Sequence, residues 1–493
     1  MLFNSINFLI FFPIVVLVYL VIPKKLKYLW LLLASYYFYM CWNAKYAILI
    51  AFSTVVTYGS GLLLEKETEK GKKKLVVALC AIVNLGILGF FKYFGFFIDN
   101  INGIWSAFHV QLIKNPFNLL LPVGISFYTF QALGYMIDVY RGEIKAERNL
   151  LKYALFVSFF PQLVAGPIER SKNLLSQIED MGEKRLWNYD GIVSGLSLMV
   201  WGLFQKMVIA DRCAVFVDAV HDNLYAAGFV ETVAAAFFFS IQIYCDFAGY
   251  SAIAIGSARV MGFTLMENFN TPYFATSIQD FWRRWHISLS TWFRDYLYIP
   301  LGGSRCSKIK KYRNLMITFL CSGLWHGASW TYVIWGGIHG FYQIMGELLM
   351  PIRKKITSLL HVRTDVFSFR FGQMLITYGL TTFAWIFFRA GNLGHLIFYF
   401  QRMCRFNPWV FSAGGLNYLH VSMKDIVLTP IFLVILILVD VVRAVKKTDV
   451  GEVLARQNLW FRWVILLGLI FCVLIFGEYG ITFDSKQFIY FQF

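Results

Sequence analysis

Residues 70–98 read KGKKKLVVALCAIVNLGILGFFKYFGFFI, a short basic run followed by an apolar segment long enough to cross a bilayer, for which a helix needs about 20 residues. The pattern repeats in both directions. Apolar segments occupy approximately 5–22, 28–42, 45–64, 75–98, 117–140, 150–168, 191–210, 229–262, 314–350, 372–390, 425–442 and 463–480. Of the 493 residues, 58% are hydrophobic, 19% aromatic and only 15% charged, with a mean hydropathy of +0.59. A water-soluble chain carries roughly 25% charged residues, so this composition belongs to a protein whose solvent is mostly lipid. The expectation is an all-α, polytopic integral membrane protein of about 11–12 transmembrane helices with re-entrant or interfacial helices in addition.

Lys and Arg number 45 against 28 Asp and Glu, a net charge of +17. Such an excess can mark a nucleic-acid binder. Here, however, the bases form short runs between apolar segments, as in Pro23–Lys27 and Lys70–Lys74, which is how cytoplasm-facing loops are marked. No nucleic-acid partner is expected. If Pro23–Lys27 and Glu65–Lys74 both face inward, the chain turns outside near Asn43–Lys45, and the N-terminus lies outside. Assigning the basic loop Arg443–Arg462 inward likewise puts the tail 480–493 outside. Met1–Ile22 has no basic start and no small-residue cleavage site, so it reads as a first span in the cytoplasmic membrane. Eight scattered cysteines, with no C-x-x-C and no histidine at zinc spacing, indicate neither a disulfide framework nor a metal site. Without a detectable repeat or linker, one integral domain over 1–493 is expected. Its middle, 262–313, is the exception. There Arg283, Arg284, Arg294, Arg305, Lys308, Lys310, Lys311 and Arg313 stand among Trp282, Trp285, Trp292 and Phe293. Such a stretch cannot face lipid, and it reads as re-entrant or interfacial on the cytoplasmic side.

Polar groups inside apolar sequence are the places to look for chemistry, because a bilayer makes them costly. Gly323–Trp330 (GLWHGASW) puts His326 near the start of a long apolar helix, with Gly323 and Gly327 at a spacing that admits a neighbouring helix. Taken alone, a histidine such as His326 is more often a satisfied packing residue. Asp280–Ser290 (DFWRRWHISLS) contains His286 and an Asp280 that can pair with Arg283 or Arg284 one turn on. Arg283, Arg284 and Arg294 beside Trp285 suit a phosphorylated, adenine-bearing donor, since guanidinium pairs with phosphate and indole accepts a planar base; an amphipathic interfacial helix explains them as well. The tail Phe488–Phe493 (FIYFQF) holds four aromatics and the Tyr490 hydroxyl, where a terminus normally frays. Asp246 and Arg389 are intramembrane charges that read as structural ion pairs. His339 follows His326 by 13 residues, which turns it away on a shared helix.

Together, Asp280–Arg294 (DFWRRWHISLSTWFR), Leu324–Trp330 (LWHGASW), Pro122–Gly142 (PVGISFYTFQALGYMIDVYRG) and Phe160–Arg170 (FPQLVAGPIER) resemble the membrane-bound O-acyltransferase family, in particular the bacterial branch that supplies acetyl groups to alginate, peptidoglycan and other envelope polysaccharides. The resemblance implies acetyl-CoA as acyl-donor co-substrate, with no bound cofactor. It also implies an essential His326, a second functional His286, and an extracytoplasmic SGNH-type esterase-like partner. Phe488-x-Tyr490-x-x-Phe493 resembles the end of the small partner peptide of D-alanine transfer systems, which implies Tyr490 as acyl carrier with Phe488 and Phe493 docking the tail. The segment Asp246–Ala252 (DFAGYSA) departs from the alginate pattern by lacking its later acid, so the polymer stays open between alginate-like and peptidoglycan. Three alternatives also stay open: a transporter or flippase, a scaffold for an extracytoplasmic enzyme, and a relative using D-alanyl from a carrier protein.

Overall fold

The computed structural model describes residues 1–478 apart from 111, 115, 116, 118–120, 165, 183–187, 413 and 449. The tail carrying Phe488, Tyr490 and Phe493 lies outside the described residues. Among the described residues every regular element is helical. Two compact units are described: Met1–Leu196 with Ala254–Met266, and Ser197–Ile253 with the chain from Glu267 onward.

Seven described helices are long and apolar enough to cross a membrane: Ala44–Lys66, Lys70–Ala107, Tyr189–Asp222, Phe229–Val260, Phe367–Arg389, Met423–Lys446 and Leu459–Phe476. Ile6–Val21 is a shorter apolar helix. The apolar runs 5–22 and 28–42 form the shorter helices Ile6–Val21 and Lys27–Met40, and two other runs are folded back on themselves. Segment 150–168 yields the short helices Leu150–Ser158 and Phe160–Leu163, and 314–350 yields a hairpin of Lys308–His326 and Trp330–Leu348. Only 17% of the apolar window of Lys70–Ala107 and 6% of that of Leu459–Phe476 are buried in protein. Helices apolar on all sides and so little covered require hydrocarbon around them.

In the first unit, two of the four sequence motifs pack on each other. Gly124 takes φ +74°, and a β-carbon there would stand 2.4 Å from the carbonyl oxygen of Leu163, a contact open only to glycine. Gln162 Nε2 donates to Gln131 Oε1 at 2.9 Å, and Gln131 Nε2 to the Phe156 carbonyl at 2.6 Å, which joins the two buried amides to each other and to the backbone. Pro122–Gly142 and Phe160–Arg170 are therefore one packed assembly.

The second unit holds the other two motifs. A β-carbon on Gly323 would lie 2.2 Å from the Tyr332 carbonyl oxygen, and one on Gly336 would lie 2.2 Å from that of Phe319. The two arms of the hairpin thus touch backbone to backbone. Gly323 admits a helix, the next one in the chain, and its partner in that approach is Gly336; Gly327, the other glycine of the expected pair, lies beyond the helix end against the Tyr332 ring. The turn is made by Gly327 with φ −165°, followed by Ser329, whose hydroxyl caps the second arm by accepting from Thr331 N and donates to the Gly391 carbonyl at 2.9 Å. Replacing Gly336 by Val forces a side chain into a backbone contact that cannot yield. Overpacking of this kind costs about 1–3 kcal/mol, so Gly336→Val should lower the melting temperature of detergent-solubilised protein, while Gly346→Ala on the same arm, with open space around it, should not.

Candidate active site

His326 is the last residue of the Lys308–His326 helix. The expectation that it starts a long helix is corrected: the apolar run breaks at Gly327, and His326 stands at the hairpin's bend. It is buried at 4% exposure, with Trp325, Trp335 and Phe388 rings at 5.1, 5.1 and 5.4 Å. His339 belongs to the second arm, where its Nδ1 accepts from Trp282 Nε1 at 3.2 Å. Trp335 touches both imidazoles. His339 is accounted for as a bonded packing residue.

His286 comes to the site from a different part of the sequence. Region 262–313 contains the short helices Ile278–Arg284 and Ile287–Phe293, neither long enough to cross a bilayer. His286 is the residue between them, fully buried, in the left-handed conformation at φ +43°, ψ +54°. A non-glycine residue held there carries backbone strain that the surroundings must offset. Its ring centroid is 6.3 Å from that of His326, and Phe247, Phe269 and Trp325 pack around it. That separation is too long for a direct hydrogen bond between the rings, which needs about 2.7–3.2 Å between nitrogens, and short enough for one reacting atom to reach both. Burial pushes the His286 pKa down and keeps the ring neutral.

The proposed donor residues divide. Arg283 is exposed, and Arg294 is largely exposed with Asp295 at 2.7 Å. Arg284 is the partner of Asp280, at 3.0 Å, and also reaches Thr271 Oγ1. Both arginine pairs sit partly in solvent, where such pairs are worth little. Trp285 is 1% exposed, stacked on Phe281 and tilted against Trp385. Its faces are taken by these rings.

The intramembrane charges are paired. Lys206, on a π-helical turn at Phe204–Ala210, has its Nζ 2.7 Å from Asp211 Oδ1 and 2.6 Å from Asp246 Oδ1, and all three residues are buried. Arg389 meets Asp218 at 2.6 Å. Sequence reading singled out Asp246 and Arg389 without their partners, though Lys206 and Asp218 carry the same signal, a charge in apolar surroundings. Asn268 was missed altogether. Its side-chain oxygen lies 3.1 Å from His286 Nδ1, and an asparagine among Met266, Phe269 and nearby apolar residues gives no periodic signal. Among the described residues no group of three or more His, Cys, Asp or Glu is placed to hold a metal ion.

The model of the membrane-bound O-acyltransferase family matches residues 141–383, a span that contains both histidines. The chain is 40% identical over 422 residues to the probable alginate O-acetylase AlgI of Pseudomonas aeruginosa, covering 84% of this chain and 76% of that one. It is 38% identical over 426 residues to the peptidoglycan O-acetyltransferase of Helicobacter pylori, covering 80% and 78%. Similarity to the teichoic acid D-alanyltransferase of Bacillus subtilis is lower, 29% over 249 residues, or 48% of this chain and 62% of that one.

Proposed function

The chain belongs to the membrane-bound O-acyltransferase family, and on that premise we propose that it takes an acetyl group from acetyl-CoA at the cytoplasmic face and passes it across the membrane to an extracytoplasmic, SGNH-type partner that O-acetylates an envelope polysaccharide, alginate-like or peptidoglycan. The chain is a multi-pass membrane acyltransferase, and the transporter and scaffold readings give way to that. The observation that carries the finer reading is the extent of similarity: relatives named for O-acetylation align over 84% and 80% of the chain, the D-alanyltransferase over 48%. Acetyl is favoured over D-alanyl on that ground.

Coenzyme A is multiply charged and cannot enter hydrocarbon, whereas an acetyl group is small and neutral, so only the acetyl group has a low-cost route across. In this reading the protein sits in the cytoplasmic membrane with both termini outside, and region 262–313 faces the cytoplasm. Arg283, Arg284 and Arg294 draw in the phosphates of the donor. The Tyr490 tail, docked by Phe488 and Phe493, enters from the opposite side. A phenol of pKa about 10 is a weak nucleophile at pH 7. His326 takes the hydroxyl proton as the phenolic oxygen bonds to the thioester carbonyl carbon. The carbon–sulfur bond then breaks, and the leaving thiolate recovers the proton from the imidazolium, giving acetyl-Tyr490 and free CoA thiol. His286 supports His326 as a neutral hydrogen-bond partner through the reacting atoms between them.

His326→Ala should abolish thiol release from acetyl-CoA while the purified protein elutes unchanged on size exclusion, since general-base contributions run to about 10²–10⁴. Full activity in that variant would refute the assignment. For the carrier step, mass analysis of the C-terminal peptide after incubation with acetyl-CoA should find an acetyl increment on Tyr490 in wild type and none in His326→Ala. An unmodified peptide alongside His326-dependent thiol release would remove the tyrosine step and leave direct handover to the partner.

A further inference from the structure

Asn268 Oδ1 is shared by three groups: the Ser288 backbone N–H at 3.2 Å, the Ser288 hydroxyl at 2.9 Å and His286 Nδ1 at 3.1 Å. A backbone N–H only donates, so the atom facing Ser288 N must be the amide oxygen, and the orientation of the Asn268 side chain follows without sight of any hydrogen. An amide oxygen only accepts. The His286 nitrogen that meets it must therefore carry the proton. In a neutral imidazole the proton on Nδ1 leaves Nε2 as the lone-pair nitrogen.

Asn268 is itself fixed. Its carbonyl accepts from Ile287 N at 3.0 Å, its Nδ2 reaches Ser251 Oγ at 3.3 Å, and Asn270 N donates to the Arg284 carbonyl at 2.9 Å. Segments 268–270 and 284–288 are thus laced together on both sides of the left-handed His286, and Asn268 is 1% exposed. These bonds account for how the strained conformation at His286 is held, because the residues before and after it are tied to Asn268 and its neighbour.

We propose that Asn268 is a positioning residue for acyl transfer: by accepting from Nδ1–H it fixes His286 in the tautomer whose Nε2 accepts, and so sets the hydrogen-bond direction of the histidine pair. This rests on the acyltransferase reading above. It also decides between two roles for His286. A neutral Nε2 with a lone pair accepts from an N–H or O–H, and it cannot donate to a thioester carbonyl. His286 therefore orients the base or receives a proton, and does not polarise the carbonyl.

The tautomer is measured directly by solid-state nuclear magnetic resonance on ¹⁵N-histidine-labelled protein in proteoliposomes, with His286→Gln identifying the signals of His286. Wild type should show the neutral Nδ1–H form at neutral pH, and Asn268→Leu should lose it. A His286 signal of the Nε2–H form in wild type, or one unchanged in Asn268→Leu, overturns the proposal whatever the enzyme's substrate proves to be. On the acyltransferase assay, Asn268→Leu should lower kcat for thiol release about 10–100-fold with little change in KM for acetyl-CoA, by analogy with the loss of a hydrogen-bond partner that orients a metal-ligating histidine. Asn268→Asp keeps an acceptor for Nδ1–H and should retain most of the activity. Its carboxylate favours imidazolium, so the acid side of its pH profile should move to higher pH. Ser251→Ala, which removes only the longest of these bonds, should behave as wild type. If Asn268→Leu lowers kcat equally in wild-type and His286→Gln backgrounds, Asn268 acts through packing and the proposal fails. Absent thiol release in wild type would instead defeat the acetyl-CoA reading and leave the tautomer result standing.

Discussion

Backbone contact between Gly323 and Gly336 sets where His326 stands, and most of the candidate site depends on it. Without side chains at these positions the two arms of the Lys308–Leu348 hairpin close to touching distance, and the bend at Gly327 holds the last residue of the first arm inside protein. Trp335 of the second arm then reaches His326 and, with Trp385 and Phe388, builds an aromatic wall around it. An imidazole so enclosed is kept from water, which strengthens every hydrogen bond it makes and removes the solvent that would hydrolyse an acyl group.

The second unit also shows how charge is tolerated in apolar surroundings. Lys206 is flanked by Asp211 and Asp246, Arg389 by Asp218, and Asp440 accepts from the Tyr244 hydroxyl at 3.0 Å. Each of these charges has a partner of opposite sign or a hydrogen-bond donor, as burial requires. The histidines are treated differently: they are surrounded by rings, and His286 is anchored by one asparagine. Paired charges sit where the helices must be held, and the two histidines sit among aromatic rings.

The helical, membrane-spanning character of the chain was legible from the apolar runs alone, because a bilayer leaves helices as the simplest solution for backbone hydrogen bonds. The two histidine motifs were also legible as candidates, and they meet in one unit although 40 residues separate His286 from His326. What hydropathy could not show was the fold-back within 314–350. Gly327 and Ser329 look like minor interruptions of an apolar run, yet together they stop one helix and cap the next. Asn268 was invisible for another reason. Its role depends on a left-handed residue 18 positions later, a conformation that no local pattern announces.

In the proposed reaction an acyl group crosses the membrane while its carrier stays behind. Sealed proteoliposomes with a single protein orientation separate these two movements when doubly labelled acetyl-CoA is supplied only on the side of the Lys70–Lys74 loop. Free CoA thiol is expected on the side of supply, together with labelled acetyl groups accessible to a hydrolase added only to the opposite side, both lost in His326→Ala. Acetyl label that stays on the side of supply, or intact CoA that appears on the far side, would contradict the proposed reaction.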